Sequence, residues 1–371
     1  MPMEPMLDTY NQNSALQATC QDEGNQRLAK MAEEYCDNAS ELKAVRIAEY
    51  GCSGGRNSYL PQHTMLSILR RSFPSLSAEF ILEDLPSNPW FQVMEEQRRL
   101  LDAFPTGVQV LCAGTSFYEQ VCADHSVDLG FSYVSAHFMR GAPRISHHVL
   151  LHELSASERG PLEAQAARDW ETFLALRARE LKPGGRLMVS TMSRDGAGYS
   201  WKEFSYLVWD CILKAQRTGE LSQVEVDALC IPACLRSEAE LTAPFDRSAS
   251  VSTLLQLDGL DFLRTEIPAE RDLSRDARAS LLRQRVEAVW GGMFLVQLHR
   301  LNRTAESASA VMQRVWDDFE DHMRQDPERG WNDMRFFCLT ATRKGLPRHS
   351  SQKSSEPVSE AVAEGAAHSS D

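Results

Sequence analysis

Three short segments carry residues whose types and order suit ligand chemistry. The first is Ile47-Ala48-Glu49-Tyr50-Gly51-Cys52-Ser53-Gly54-Gly55-Arg56-Asn57, a strand-like run that ends in an acid and passes into small residues. Glycines let a backbone approach a ligand closely and adopt dihedrals that other residues avoid. In a doubly wound sheet the end of the first strand borders the ligand crevice. The glycines miss the dinucleotide spacing G-x-G-x-x-G, which counts against a nicotinamide dehydrogenase. An acid followed by such a loop suits S-adenosylmethionine (SAM), whose cationic amino-acid end carries no phosphate. The second segment is Glu83-Asp84-Leu85-Pro86-Ser87-Asn88. An acid at the end of a second strand offers two acceptor oxygens to the vicinal hydroxyls of a ribose. The third is Gly114-Thr115-Ser116-Phe117-Tyr118, where Phe117 could stack on a purine and Ser116 bond its edge. Taken singly, each segment also has a plain structural reading: a strand-to-helix turn, a helix-capping Asp and a core aromatic.

These residues need a frame, and the sequence outlines one. Short apolar or β-branched runs at Ala44–Gly51, Glu79–Asp84, Val108–Ala113, Val127–Ser132 and Gly185–Thr191 read as strands. Between them lie helical patterns such as Trp90–Phe104 and Asp169–Leu181, the latter stopped by Lys182-Pro183-Gly184-Gly185. Alternating strands and helices imply a parallel sheet with right-handed crossovers. Beyond Ser193 the pattern turns mostly helical, at Ser200–Thr218 and Ala277–Leu301, with a capping box at Ser237-Glu238-Ala239-Glu240 and strands expected at Phe262–Ile267 and Met334–Thr342. From Leu346 the chain is rich in Ser, Glu and Ala and reads as a disordered tail.

Composition bounds the partners. Of 371 residues, 39 are Lys or Arg and 52 Asp or Glu, a net charge of −13. So acidic a surface repels phosphate backbones and anionic membranes, so neither nucleic acid nor membrane is an expected partner. No apolar run approaches a membrane span, and Met1–Tyr10 lacks the basic and apolar pattern of a signal segment. The nine cysteines are scattered and form no C-x-x-C pair, which disfavours disulfide and zinc frameworks and points to a cytosolic protein without a metal.

Together the segments resemble the SABATH family of SAM-dependent methyltransferases, which methylate carboxyl groups of small metabolites. Tyr10-Asn11-Gln12-Asn13-Ser14-Ala15-Leu16-Gln17 is similar to the family's N-terminal Tyr-x-x-Asn-Ser-x-x-Gln. Gly51–Asn57 is similar to its Gly-Cys-Ser-Ser-Gly-Pro-Asn loop, Asp84–Asn88 to its Asp-Leu-Pro-x-Asn, and Ser116-Phe117-Tyr118 to its Ser-Phe-Tyr. Further likeness runs through Phe173-Leu174, Arg177, Glu180-Leu181, Gly184-Gly185-Arg186 and Ile231-Pro232.

The resemblance implies an α/β fold: a doubly wound Rossmann-like class I methyltransferase sheet with an inserted helical cap. The implied divisions are an N-terminal arm over residues 1–43 closing the active site, a SAM-binding core over 44–194, a cap over 195–330 with a strand near 262–267 returning to the core, a last core strand over 331–345 and the tail over 346–371. It implies a cofactor site of Tyr10, Ser14, Glu49, Gly51, Asn57, Asp84, Leu85, Ser116 and Phe117. Glu49 stands where the family has Asp.

The acceptor half departs more. The family's His-Ser-Ser-Tyr-Ser-Leu-His-Trp appears here as Phe131-Ser132-Tyr133-Val134-Ser135-Ala136-His137-Phe138. The family Trp and the Gln matching Gln17 hold the substrate carboxylate, but Phe138 has no N–H. The implied acceptor set is Gln17, Val134, His137, Phe138, Trp209 and Cys234, with Gln17 and His137 as the groups that orient the reacting oxygen. The expected acceptor is a small-molecule carboxylic acid, and the expected assembly a homodimer. A phenol O- or N-methyltransferase and a non-catalytic binding protein on the same fold stand as alternatives.

Overall fold

The computed structural model describes residues 15–141, 147–266, 273–326 and 333–345. Residues 1–14 of the expected arm and the expected tail from 346 lie outside the described residues. Seven strands form one sheet: β1 Ala44–Tyr50, β2 Ser77–Asp84, β3 Val108–Gly114, β4 Val127–Tyr133, β5 Leu181–Met192, β6 Leu255–Glu266 and β7 Asp333–Arg343. Their order is β3-β2-β1-β4-β5-β7-β6. The first five are parallel, and β7 runs antiparallel between β5 and β6. The order reverses between β1 and β4, so their C-terminal ends open a crevice at the switch point.

Strand side chains alternate between two layers. Val45 and Ile47 face helices α1 (Ala15–Asp37) and α2 (Tyr59–Ser72), packing with Leu28, Met31, Leu66 and Leu69. Ala48 and Tyr50 point the other way, to Trp170, Phe173 and Leu174 of helix α4 (Ala156–Glu180). Helix α3 (Trp90–Ala103) covers β2 and β3 on the first face.

No helix links β3 to β4. A buried ion pair on α4 ties that connection down instead. Arg177 and Glu180 are both fully buried and 2.9 Å apart. Arg177 donates to the carbonyls of Phe117 and Glu119, each at 3.0 Å, and lies 4.0 Å from the ring of Tyr50. Glu180 accepts from the Tyr50 hydroxyl at 2.7 Å and from the N–H groups of Val121 and Cys122 at 2.6 and 3.2 Å. The charges are thus spent on backbone that a helix would otherwise satisfy.

Several boundaries differ from the sequence expectation. Helix α4 begins at Ala156, well before Asp169, because Ser155 and Glu158 form a capping box there. It ends at Glu180 and the chain enters β5 at Leu181, so the Pro-Gly-Gly run lies inside the strand. Strand β6 starts at Leu255, not Phe262; its first half mixes acids and glycine around a register shift between Leu257 and Gly259, which hides the alternation. Ile267 lies outside the described residues. The expected helices past Ser193 appear as α5 (Lys202–Arg217) and, after α6 (Glu238–Arg247) with its Ser237 capping box, α7 (Arg275–Arg300). Helix α8 (Ala305–Gln325) was not anticipated. It packs on α5 and α7 through Trp316 and Phe319, whose rings lie 6.1 Å from Phe294 and Phe204 respectively. No helix among the described residues is long and apolar enough to cross a membrane.

Candidate active site

The loop after β1 is stitched to the end of β2. The N–H of Gly51 donates to the Glu83 carbonyl at 2.9 Å and to its carboxylate Oε2 at 3.1 Å, and Cys52 N–H adds a second bond to the same carbonyl. Asp84 accepts from Ser53 N–H at 2.7 Å on one oxygen and from Leu85 N–H at 2.8 Å on the other. Asn88 closes the stitch by donating to the Ser53 carbonyl at 2.8 Å. Gly51 has φ +83°, and a Cβ there would lie 2.4 Å from Ser135 Oγ. Only glycine fits that position without moving the β4 turn. Asn57 lies in the 3₁₀ turn Arg56–Ser58 that leads into α2.

Three carboxyls converge on this edge. Glu49 is buried; it accepts from Ser58 Oγ at 2.9 Å and Gln62 Nε2 at 3.2 Å. Burial pushes its carboxyl up to about 7; the two bonds oppose that, and the charge of Asp84 adds to it. Glu83 is more deeply buried. Desolvation first, and then Asp84, hold its carboxyl well above the usual range, and its Oε1 has no hydrogen-bond partner. Burial also raises Asp84, opposed by its two backbone N–H bonds. Crowded carboxyls with an unpaired acceptor are relieved by a cation or by hydroxyl donors and disfavour phosphate. SAM offers both: positive charge on its ammonium and sulfonium, and hydrogen-bond donors on its ammonium and ribose diol.

Beyond β3, Ser116 Oγ accepts the Tyr118 N–H at 3.2 Å, and the Phe117 ring stands edge-on to Phe173 at 5.8 Å. A Cβ on Gly51 would lie 3.8 Å from the Phe117 ring, so these two sequence-distant residues flank one crevice.

The chain then turns sharply after β4. Val134 has φ +52°, a conformation that β-branched residues avoid. Its N–H is held by the Ser190 carbonyl at 2.8 Å, and Ser135 Oγ donates to the Gly51 carbonyl at 3.0 Å. His137 and Phe138 are then zipped to the segment after α5. Cys234 N–H donates to the His137 carbonyl at 2.8 Å, Phe138 bridges Ala233, and Met139 N–H donates to the Pro232 carbonyl at 2.7 Å. The result is an apolar cavity whose walls include Val134, His137, Phe138, Met192, Trp201 and Trp290. His137 is buried there, with Nδ1 unpartnered. Desolvation, and secondarily the nearby Arg236, push its pKa down to about 3. The ring is therefore neutral at physiological pH.

The structure brings Glu49, Gly51, Asp84, Leu85 and Phe117 to one crevice, and Val134, His137 and Phe138 to the adjoining cavity. Two residues expected in the cavity do not line it. Trp209 belongs to the core, its ring 5.9 Å from His148, and Cys234 packs with Met139, Leu151 and Leu154, lending only its backbone. Gln17 falls in the first turns of α1, but its side chain, with Tyr10 and Ser14, lies outside the described residues. Trp201, Trp290 and Met192 were missed. Trp290 stood among the apolar residues of α7 and Trp201 at the start of the amphipathic run expected over Ser200–Thr218, and helical spacing marks core and pocket alike.

A family model described as SAM dependent carboxyl methyltransferase matches residues 7–330. Methyltransferase FUS9 of Gibberella fujikuroi is 32% identical over 178 residues, 46% of this chain and 47% of that protein. Jasmonate O-methyltransferase of Arabidopsis thaliana is 24% identical over 283 residues, 66% of this chain and 72% of that one. The chain spans about half the length of the first fungal relatives it matches. A solved loganic acid methyltransferase with SAH superposes at a TM-score of 0.76 with 15% identity, covering 94% of this chain and all of that one, which shows the shared fold. With a family model over nearly its whole length, the chain belongs to the SAM-dependent carboxyl methyltransferases.

Proposed function

We propose that this protein transfers the methyl group of SAM to a carboxylate oxygen of a small-molecule acid. The observation that carries this is the absence of a charged or basic group in the described cavity wall: its one imidazole, His137, is held near pKa 3. An acid is ionised at neutral pH and needs no base, whereas a phenol or an ammonium must lose a proton. When bound, SAM supplies an electrophilic methyl on a sulfonium. The chain's contribution is placement and exclusion of water.

In this reading Glu49 faces the cationic amino-acid end, Asp84 accepts from the ribose hydroxyls, and Gly51, Asn57, Leu85, Ser116 and Phe117 shape the rest, with Tyr10 and Ser14 from the N-terminal arm. Gln17 and the neutral His137 orient the acceptor carboxylate. The arm over residues 1–43 and the cap helices close over the cavity. The assignment extends to a cytosolic homodimer, supported by the scattered cysteines with no C-x-x-C pair and by the family resemblance; sedimentation would read the assembly.

The test is incubation with methyl-labelled SAM and a panel of acids, phenols and amines. Label is expected in alkali-labile esters. Label confined to alkali-stable ethers or amines would favour the second reading, and none at all the non-catalytic one.

A further inference from the structure

The cavity's chemistry says more about the acceptor than the reaction type does. Its described wall is apolar and no lining side chain carries a charge, since His137 is neutral. The Ser200 hydroxyl is already engaged: it donates to the Arg335 carbonyl at 3.1 Å and accepts the Arg335 N–H at 2.7 Å. Two side chains of the wall each carry a buried polar atom without a partner, Trp201 Nε1 and His137 Nδ1. An indole can only donate, so Trp201 presents a buried N–H that nothing in the described protein accepts. Such a group is costly in the free protein and persists where a ligand completes it. Its ring is fixed against Trp290 at 5.2 Å and Phe204 at 5.9 Å, and its backbone sits at φ +68° at the start of α5. A large aromatic held in that region is over-determined by its surroundings.

We propose that Trp201 is a specificity-determining residue whose indole N–H donates to an oxygen of the acceptor, and that the uncharged wall restricts the acceptor to acids with an apolar body and no second ionised group. This rests on the carboxylate reading above and adds to it which acids are taken. A second carboxylate would enter an apolar wall without a counter-charge, and burying an unpaired ion is strongly unfavourable.

The experiment is calorimetric binding to the full chain saturated with S-adenosylhomocysteine, so that it does not depend on turnover. Benzoate, cinnamate and dodecanoate are each paired with the diacid of the same frame: terephthalate, 4-carboxycinnamate and dodecanedioate. At least one monoacid is expected to bind, with its diacid weaker by tenfold or more. Trp201→Phe should weaken that monoacid about tenfold, the scale of one lost hydrogen bond, without lowering the melting temperature, because it removes an unsatisfied donor. A purely structural Trp201 would instead lower the melting temperature and leave affinity unchanged. Diacids binding as well as monoacids, wild-type affinity in Trp201→Phe, or no monoacid binding would each overturn the proposal. Should Trp201→Phe not fold, the paired acids still test the uncharged wall, and Trp201→His, which keeps a ring N–H, tests the donor by retaining monoacid affinity if the N–H is what binds and losing it if not. Binding of monoacids without methyl transfer would leave this inference standing and defeat the reaction proposed above.

Discussion

Glu49 sits with its carboxyl raised to about 7 by burial, so in the cofactor-free protein it is about half protonated at neutral pH. A cationic ligand binds the ionised form. The affinity for SAM should therefore be full above pH 7 and fall as pH drops, by up to about tenfold per unit. Calorimetry at pH 7.5 and 5.5 checks this, and Glu49→Gln should bind more weakly at pH 7.5 and lose the slope. Equal affinities at both pH values in the wild type would remove Glu49 from the cationic end. Asp84 behaves differently. Because it also holds the N–H groups of Ser53 and Leu85, Asp84→Ala would release the glycine loop as well as weaken SAM by about 1.5–3 kcal/mol. These acids were legible in the sequence because each stands at the end of an apolar strand beside glycine or proline. Trp201 was not, since its significance lies in an unpaired N–H, a property of the packed molecule.

At the scale of elements, the parallel half of the sheet was legible because its strands are short, apolar and bounded by turn residues. Strand β6 was only half visible, since its outer positions alternate with acids and a glycine at a register shift. The helix-free connection from β3 to β4 was not legible at all. It is ordered by the buried Arg177–Glu180 pair, each partner of which also serves several backbone groups. Removing one member strands the other in the core. Arg177→Met should therefore cost about 3–5 kcal/mol of stability, read by denaturant unfolding, and loosen Phe117 at the crevice. A loss below about 1 kcal/mol would mean the connection is held by its apolar contacts alone.

Across the whole molecule, the sheet presents a carboxylate-lined crevice at its switch point and the cap helices add an uncharged cavity beside it. The division was visible in outline: the cofactor half follows family motifs in order, while the acceptor half departs from them at Val134 and Phe138. What the sequence could not supply was the electrostatic state of the cavity, which depends on how deeply the cap buries His137. That state makes the central claim testable in one measurement, the pH dependence of kcat at saturating SAM and acceptor. With an ionised acceptor and a neutral His137, kcat should be nearly flat between pH 6 and 9, and in particular should show no inflection near the ordinary His value of ~6.5. A rate that climbs steadily with pH over that range would show proton removal in the rate-limiting step and contradict carboxylate methylation.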